Sequence, residues 1–530
     1  MPNPPPGIDA ADFRAALREF EQIVGREWVF SSDEDVALYR DAYSPLWGEP
    51  EERVASAAVA PQSVEEVQAI VRVANRFRIP LYPISTGRNL TYGGSAPTYS
   101  GSVVLDLKRM NRILDVNERD KTCLVEPGVS YFDLYRYLRT NGIRLWIDTA
   151  DPGWGGLVGN ALDRGGGYTD VDYRDHFDAH CGMEVVLANG DVVRTGMGAA
   201  PGAKTWQLFK YGLGPWVDGI FSQSNLGIVT KMGFWLMEEP EAALQVNVTV
   251  PKRRDVVPLV DALHSLMCAH IIPSQTTVAS PVMNGSDDPE LVRLRTSGGA
   301  SDADWDRHAN GRPFWSATWV YYGPQKVIAA QWEHTKDRLG HIAGVQFRET
   351  ASYTFPLTDE QVEAVPDKAR LGIPSLNLFG SRSSPTAVPS EGHLDFSPMI
   401  PPRGEELIAL ADVTGKIYGE MGMTPSFVGG LMFHPRTMIC FHAVPTYRNA
   451  EGNRRIRALF QRLVRECSAN GWPVYRIHAH FQALGMQMFG WNGGTLQRLH
   501  QALKDALDPN GIISPGRYDI WPRHLRETRA

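Results

Sequence analysis

Between residues 53 and 240 the apolar positions fall in short runs whose period keeps changing. VASAAVAP (53–60) leads into Ser63-Val-Glu-Glu66, which has capping-box spacing and predicts a helix running to about Arg78. LYPI (81–84) reads as a short strand and is followed by the loop Ser85-Thr-Gly-Arg-Asn-Leu-Thr-Tyr-Gly-Gly94. GSVVLDL (101–107) alternates as a strand, and TCLVE (122–126) makes another. Ser130 to Asp133 caps a helix that Asn141-Gly142 ends, and Asn189-Gly190 predicts a hairpin over 185–196. The region therefore reads as strands and short helices joined by glycine-rich loops.

After about Glu239 the pattern lengthens. Helical periodicity predicts helices over 255–270, 324–338, 403–420, 451–470 and 495–507, with strands at 244–250 and 437–444. The polar, charged segment 276–312 reads as an exposed loop. A DPNG turn and Ile513-Ser-Pro-Gly-Arg517 close the sequence. The expected architecture is α+β, with an N-terminal domain (1–240), an inserted α+β domain (241–471) and a C-terminal return (472–530).

Composition narrows the function. The 530 residues, 43% of them hydrophobic, are enough to bury a large core, and 21% charged residues exclude wholesale disorder. A net charge of −7 argues against a nucleic-acid binder. Five scattered cysteines with no CxxC pair suit a reducing compartment, and no N-terminal apolar segment suggests secretion. No apolar run approaches a membrane span. A cytoplasmic enzyme is the expectation. Phosphate-loop, GxSxG and HExxH motifs are absent, and Gly153-Trp-Gly155-Gly156-Leu-Val-Gly159 is a poor dinucleotide fingerprint.

Glycine is uneven: 23 of the 50 lie in residues 85–235. Two loops, 85–94 and 153–167, could crowd backbone N–H groups into an anion-binding concavity, or simply make tight turns.

At these loops the sequence resembles the vanillyl-alcohol oxidase family, and within it bacterial eugenol oxidase-like enzymes. The resemblance rests on PISTGRNLTYGGSAPTYSGSVVLDL, on GNALDRGGGYT followed by HFDAHCGMEVVLANGDVVRTGMG, and on GPWVDGIFSQSNLGIVTKMGFWLM. EGHLDFSP (391–398), Val474-Tyr475-Arg476-Ile-His478 and ISPGRYDIWP (513–522) add to it. It implies the two-domain FAD-binding fold typified by p-cresol methylhydroxylase, in which 1–240 and 472–530 bind FAD and 241–471 form the cap.

The same resemblance implies the site. Ser85, Thr86, Gly87, Arg88 and Asn89 would cradle the FAD diphosphate, with Gly155, Gly156, Val158, Gly159 and Asn160 wrapping the same cofactor. Ile228 and Val229 would lie near the adenine, and Arg517 on the flavin or pocket side. His393 would carry a covalent flavin link. Tyr92, Tyr475 and Arg476 would hold a phenol oxygen as phenolate, and Asp151 would act as a base near the flavin. The implied activity is oxidation of para-substituted phenols (4-alkyl, 4-allyl or 4-hydroxymethyl) through a p-quinone methide, with O₂ reoxidising the flavin to give H₂O₂. The alternative is a 4-cresol-type dehydrogenase with a cytochrome or other acceptor. A homodimer without membrane or nucleic-acid partners is the expected assembly.

The remaining histidines are weaker signals. His176 and His180, or His478 and His480, have spacings open to metal binding, but no third ligand is patterned nearby. His478 is expected to organise the site by hydrogen bonds. Two departures stand out: no histidine precedes His176, so the relatives' N-terminal flavinylation histidine has no counterpart, and residues 170–175 form a slightly longer segment than the family pattern.

Overall fold

The computed structural model describes residues 3–284, 288–377, 391–425 and 428–527. A four-stranded sheet runs in the order Val29–Phe30, Ala57–Val59, Val103–Asp106, Leu81–Ile84, its last three strands parallel. The helices Ala10–Val24 and Val64–Phe77 pack together over it. A five-stranded antiparallel sheet, Ile113–Asn117, Thr122–Val125, Ile228–Trp235, His180–Val186 and Val192–Arg194, forms the second layer. A seven-stranded antiparallel sheet in the order Gln346–Thr354, Ala242–Val250, Trp315–Gly323, Thr276–Ala279, Gly429–His434, Thr437–Ile439, Met399–Ile400 builds the other half. Its main helices are Val256–Cys268, Gln325–Leu339, Gly404–Glu420 and Ala450–Ala469. The fold is the α+β, two-domain arrangement expected.

Local signals translate directly where they are self-contained. Ser130 and Asp133 exchange both capping-box bonds at the start of Tyr131–Thr140. At Ser63 only half of the box forms. Its side chain accepts from Glu66 N at 3.2 Å, while the longer Glu66 side chain reaches past the cap to Gln62 N at 2.7 Å. The helix predicted over 495–507 continues back to Trp491 only through left-handed residues at Asn492–Gly494. The strand predicted over 437–444 is two strands, Thr437–Ile439 and His442–Thr446, in different sheets.

The segment 276–312 corrects the expectation of an exposed loop. Thr276–Ala279 is an inner strand of the seven-stranded sheet, and Pro289–Thr296 and Asp302–Ala309 are helices that bury Leu291, Leu294 and Trp305. The apolar positions are few, but the large ones among them, Leu291, Leu294 and Trp305, are buried in the core.

The C-terminal return closes on the first sheet. Leu81 N donates to Ile512 O at 2.6 Å and Ser514 N to Leu81 O at 2.8 Å. Lys504 and Asp508, both fully buried, meet at 2.6 Å, and the lysine also donates to the carbonyls of Asn225 and Ile513. Asp508 in turn accepts from Ile512 N and Ile513 N. Ser514 and Arg517 are thereby set against the loop that follows Leu81–Ile84, lining a cavity with Ser85, Thr86 and Gly87.

His442 is buried in the second half, where burial first and Arg295 second depress its pKa from 6.5 to about 4. The unfolded protein binds a proton there below about pH 6.5 and the folded protein does not until about pH 4. Thermal stability is therefore expected to fall as pH drops through that window. His442→Gln should flatten the decline of Tm between pH 6.5 and 4; an unchanged slope refutes the role.

Candidate active site

Two cavities adjoin, with free volumes of about 200 and 180 Å³, the first between the halves and the second enclosed by the first half and the C-terminal return. They share Arg88, Asn89, Tyr92, Gly155, Asn160 and Arg476 along their common wall. Tyr92, Asp151, His393, Tyr475 and Arg476 line the first, together with the apolar side chains Leu431, Phe433, Ile439 and Phe441. Ser85, Thr86, Gly87, Gly156, Val158, Gly159, Ile228, Val229 and Arg517 line the second. Every site residue expected from sequence thus borders one cavity or both.

The second cavity suits a phosphate-bearing cofactor. It is floored by the loop that leaves strand Leu81–Ile84 and by the start of helix Leu157–Leu162. The backbone N–H groups of Thr86, Gly87, Arg88 and Asn89 donate to no other described residue, nor do those of Val158 and Gly159. Donors left over along a cavity wall are suited to an anion. Gly87 also needs its positive φ of +68° for the turn.

The glycines themselves do more packing than the loop reading suggested. A Cβ at Gly159 would sit 2.1 Å from Ser85 Oγ, and one at Gly156 would sit 3.0 Å from the same atom, so these two positions let the loops interlock. Of the Gly165–Gly167 run, Gly166 and Gly167 line the first cavity. A Cβ there would meet Asn160 Oδ1 at 2.1 Å, the Phe433 ring at 1.8 Å and Asp148 Oδ2 at 2.0 Å in turn. Its role is close approach to side chains that shape the first cavity.

In the first cavity the Arg476 guanidinium lies 4.2 Å from the centre of the Tyr92 ring and 5.0 Å from that of Tyr475. Burial opposes its charge, but Tyr475, Tyr92 and Asp163 together raise its pKa. Burial raises the pKa of both tyrosines, that of Tyr475 to about 12, even against the pull of Arg476. Both phenols therefore stay neutral O–H donors beside a fixed positive charge. The Tyr92 hydroxyl is buried without a hydrogen bond of ordinary geometry, Ser397 being close enough only to moderate its pKa. The Tyr475 hydroxyl donates to the Arg164 carbonyl. Asp151 follows the buried Ala150 and enters the same space. His393, on strand Gly392–Phe396, has Nε2 3.7 Å from Asp395 and its ring 5.6 Å from that of Tyr43.

The other histidines hold the frame. His176 contacts Asp148 at 3.1 Å, Asn160 at 2.6 Å and the Tyr131 hydroxyl at 2.9 Å. His180 meets Asp218 at 3.0 Å. His176 lies in a loop and His180 opens a strand, so they do not share a helix face. Among the described residues no group of three or more His, Cys, Asp or Glu could hold a metal ion. His478 bonds Asp41 at 2.9 Å, and Asp41 accepts from the backbone of the cavity residue Tyr43 at 3.0 Å. Residues 170–175 do not line the cavity, but Arg174 within them donates to the carbonyls of Pro273 and Phe433 and so fixes the Phe433 wall.

Three residues were not anticipated. Asp163 receives Asn89 at 2.9 Å and Arg517 at 3.0 Å. Asp148 accepts the backbone N–H groups of Tyr168 and Thr169. Gln275 lines the first cavity with a buried Oε1 that makes no hydrogen bond among the described residues. No local motif marks them, since their partners are remote in sequence.

The FAD binding domain model matches residues 55–196, and that of the FAD linked oxidases, C-terminal domain, matches residues 410–518. The sequence is 34% identical to the 4-cresol dehydrogenase [hydroxylating] flavoprotein subunit of Pseudomonas putida, over 97% of each protein. Its structure superposes on p-cresol methylhydroxylase with substrate bound at a TM-score of 0.85, with 33% identity over 98% of this protein and 99% of the other. It superposes on 4-ethylphenol oxidase from Gulosibacter chungangensis, in its isoeugenol complex, at 0.84, with 32% identity over 99% and 100%.

Proposed function

The protein belongs to the vanillyl-alcohol oxidase family and is an FAD-binding, flavin-dependent oxidoreductase; from that premise we propose that it oxidises para-substituted phenols at the side-chain carbon, with O₂ as the electron acceptor. The observation that carries this reading is Arg476 held between Tyr92 and Tyr475 in the cavity that also receives Asp151 and His393.

Arg476 and the two tyrosine hydroxyls, that of Tyr475 turning from the Arg164 carbonyl to the substrate, favour the phenolate over the phenol, because a largely enclosed positive charge and two donors all stabilise the anion. A para-phenolate pushes electron density through the ring and activates the side-chain carbon. Bound FAD supplies the acceptor for the hydride that leaves that carbon. Asp151 takes a proton from the water that adds to the resulting quinone methide, or from the hydroxyl of a 4-hydroxymethyl substrate. Leu431, Phe433, Ile439 and Phe441 keep bulk water off the ring. FAD would be held by the free N–H groups of residues 86–89 and the start of helix Leu157–Leu162, with Ile228 and Val229 toward the adenine and Arg517 toward the flavin.

His393 is assigned as the covalent attachment point, with Asp395 beside it to receive the imidazole proton. Acid precipitation of the wild-type protein should leave it yellow, whereas His393→Ala should release all its FAD into the supernatant. Equal release from both proteins refutes the link.

A homodimer is proposed, tested by light scattering of the holoenzyme. The main competing reading, a dehydrogenase with a separate electron acceptor, is favoured by the Pseudomonas putida relative. Photoreduced enzyme mixed with aerated buffer separates the two. Reoxidation within seconds supports the oxidase, and persistence for many minutes establishes the dehydrogenase. Anaerobic bleaching by 4-alkyl, 4-allyl and 4-hydroxymethyl phenols, and none by their 4-methoxy analogues, is the expected substrate signature.

A further inference from the structure

Asp163 lines the second cavity beside Asn89 and Arg476, which border both. Its Oδ1 receives Arg517 at 3.0 Å and lies 3.4 Å from the Tyr518 hydroxyl. Its Oδ2 receives Asn89 at 2.9 Å and lies 3.6 Å from the Arg476 guanidinium. Arg476 borders both cavities and Arg517 only the second, where it also contacts the Tyr82 hydroxyl at 3.2 Å. The neighbouring Arg164 turns instead to Ser222. Asp395 and Asp175 act on Tyr92 and Tyr475 from farther away. Around Asp163 two largely buried guanidiniums, 13% and 20% exposed, share one carboxylate, an excess of one positive charge within this cluster; Arg88 borders both cavities as well, and Asp151 and Asp395 line the first. A buried excess charge is costly unless an anion shares the site.

Resting on the phenolate reading above, we propose that Asp163 is a positioning residue that ties Arg476 and Arg517 into one unit. This unit serves the phenolate and the negative charge of the reduced cofactor in alternation. Hydride transfer breaks a C–H bond at the substrate's para substituent and carries two electrons and one proton to the cofactor. One negative charge thus leaves the phenol oxygen and one arrives on the cofactor. Within this cluster the excess of one positive charge, set by Asp163, matches either state.

The consequence is a linkage between the two sites. A bound phenolate and reduction of the flavin should oppose each other. The probe is 4-nitrophenol, which has no oxidisable side-chain carbon and whose phenolate is coloured. In wild-type holoenzyme, saturating 4-nitrophenol should lower the two-electron flavin midpoint potential by about 30 mV, the shift that corresponds to about tenfold weaker binding to the reduced enzyme. Asp163→Asn removes the carboxylate charge while keeping an acceptor for Arg517. It should lower the apparent pKa of bound 4-nitrophenol by about one unit and tighten its binding about tenfold. It should also raise the potential of the ligand-free flavin. Asp163→Glu, which restores the charge, should return all three toward wild type.

The sign separates this role from a scaffold. If Asp163 merely held Arg476 in place, Asp163→Asn would weaken phenolate binding, and that result overturns the inference. So does an unchanged potential on ligand binding to the wild type, which needs no variant to fold. If wild-type enzyme binds 4-nitrophenol only as the neutral phenol, the phenolate reading falls and takes this inference with it.

Discussion

Asp151→Asn is expected to lower turnover by about 10²- to 10⁴-fold, the range for removal of a general base, while the protein still takes up FAD and substrate. Asparagine keeps the shape of the side chain but cannot accept a proton. Asp151 borders the first cavity and not the second, so the cofactor cradle should be undisturbed. The loss should appear in kcat, with KM little changed, because the proton is taken during reaction rather than on binding. Steady-state kinetics on a 4-hydroxymethyl phenol, with acid-released or protein-bound FAD measured in parallel, checks this. Full turnover in the variant removes Asp151 from the chemistry.

Arg476→Met should cost about 10²- to 10³-fold in kcat/KM, comparable to deleting one preorganised transition-state donor. The reason lies in the tyrosines. Burial keeps Tyr92 and Tyr475 protonated, Tyr475 with a pKa of about 12, so without Arg476 the pair can donate hydrogen bonds but supplies no charge. A free phenol ionises near pH 10. The variant's kcat/KM should therefore climb with pH toward that value, where the wild type is flatter. Arg476→Lys should rescue only in part. Its point charge lacks the planar guanidinium that lies against the two rings. A methionine variant with a wild-type pH profile refutes phenolate stabilisation by this residue.

Both predictions concern residues found through whole blocks of sequence rather than through their own spacing. Asp151-Pro152, read alone, is a turn, and Arg476 is one arginine among many. Conversely, elements governed by near neighbours were plain from the sequence. The Ser130 box, the Asn189-Gly190 hairpin and the four long helices of the second half each depend on contacts a few residues apart. The segment 276–312 failed because its strand is recognised by what flanks it, Trp315–Gly323 and Gly429–His434, and not by its own polar composition.

The glycine-rich stretch shows the division within one feature. Its excess of glycine was visible, and so was its position beside the cofactor loops. What each glycine is for was not. Gly159 makes room for Ser85, and Gly166 for Phe433, which comes from the other half of the sequence.

The sequence by itself determined the local elements, the alternation of half-buried strands, the glycine loops and the set of blocks from which FAD and phenol chemistry follow. Only the tertiary structure decided how the site is charged and closed. Asp163 meets Asn89 74 residues away and Arg517 354 residues away, and its two oxygens bring Arg476 and Arg517 together. Electrostatic energy and steric exclusion depend on distance in space, and separations of that size leave no periodicity in a sequence to read.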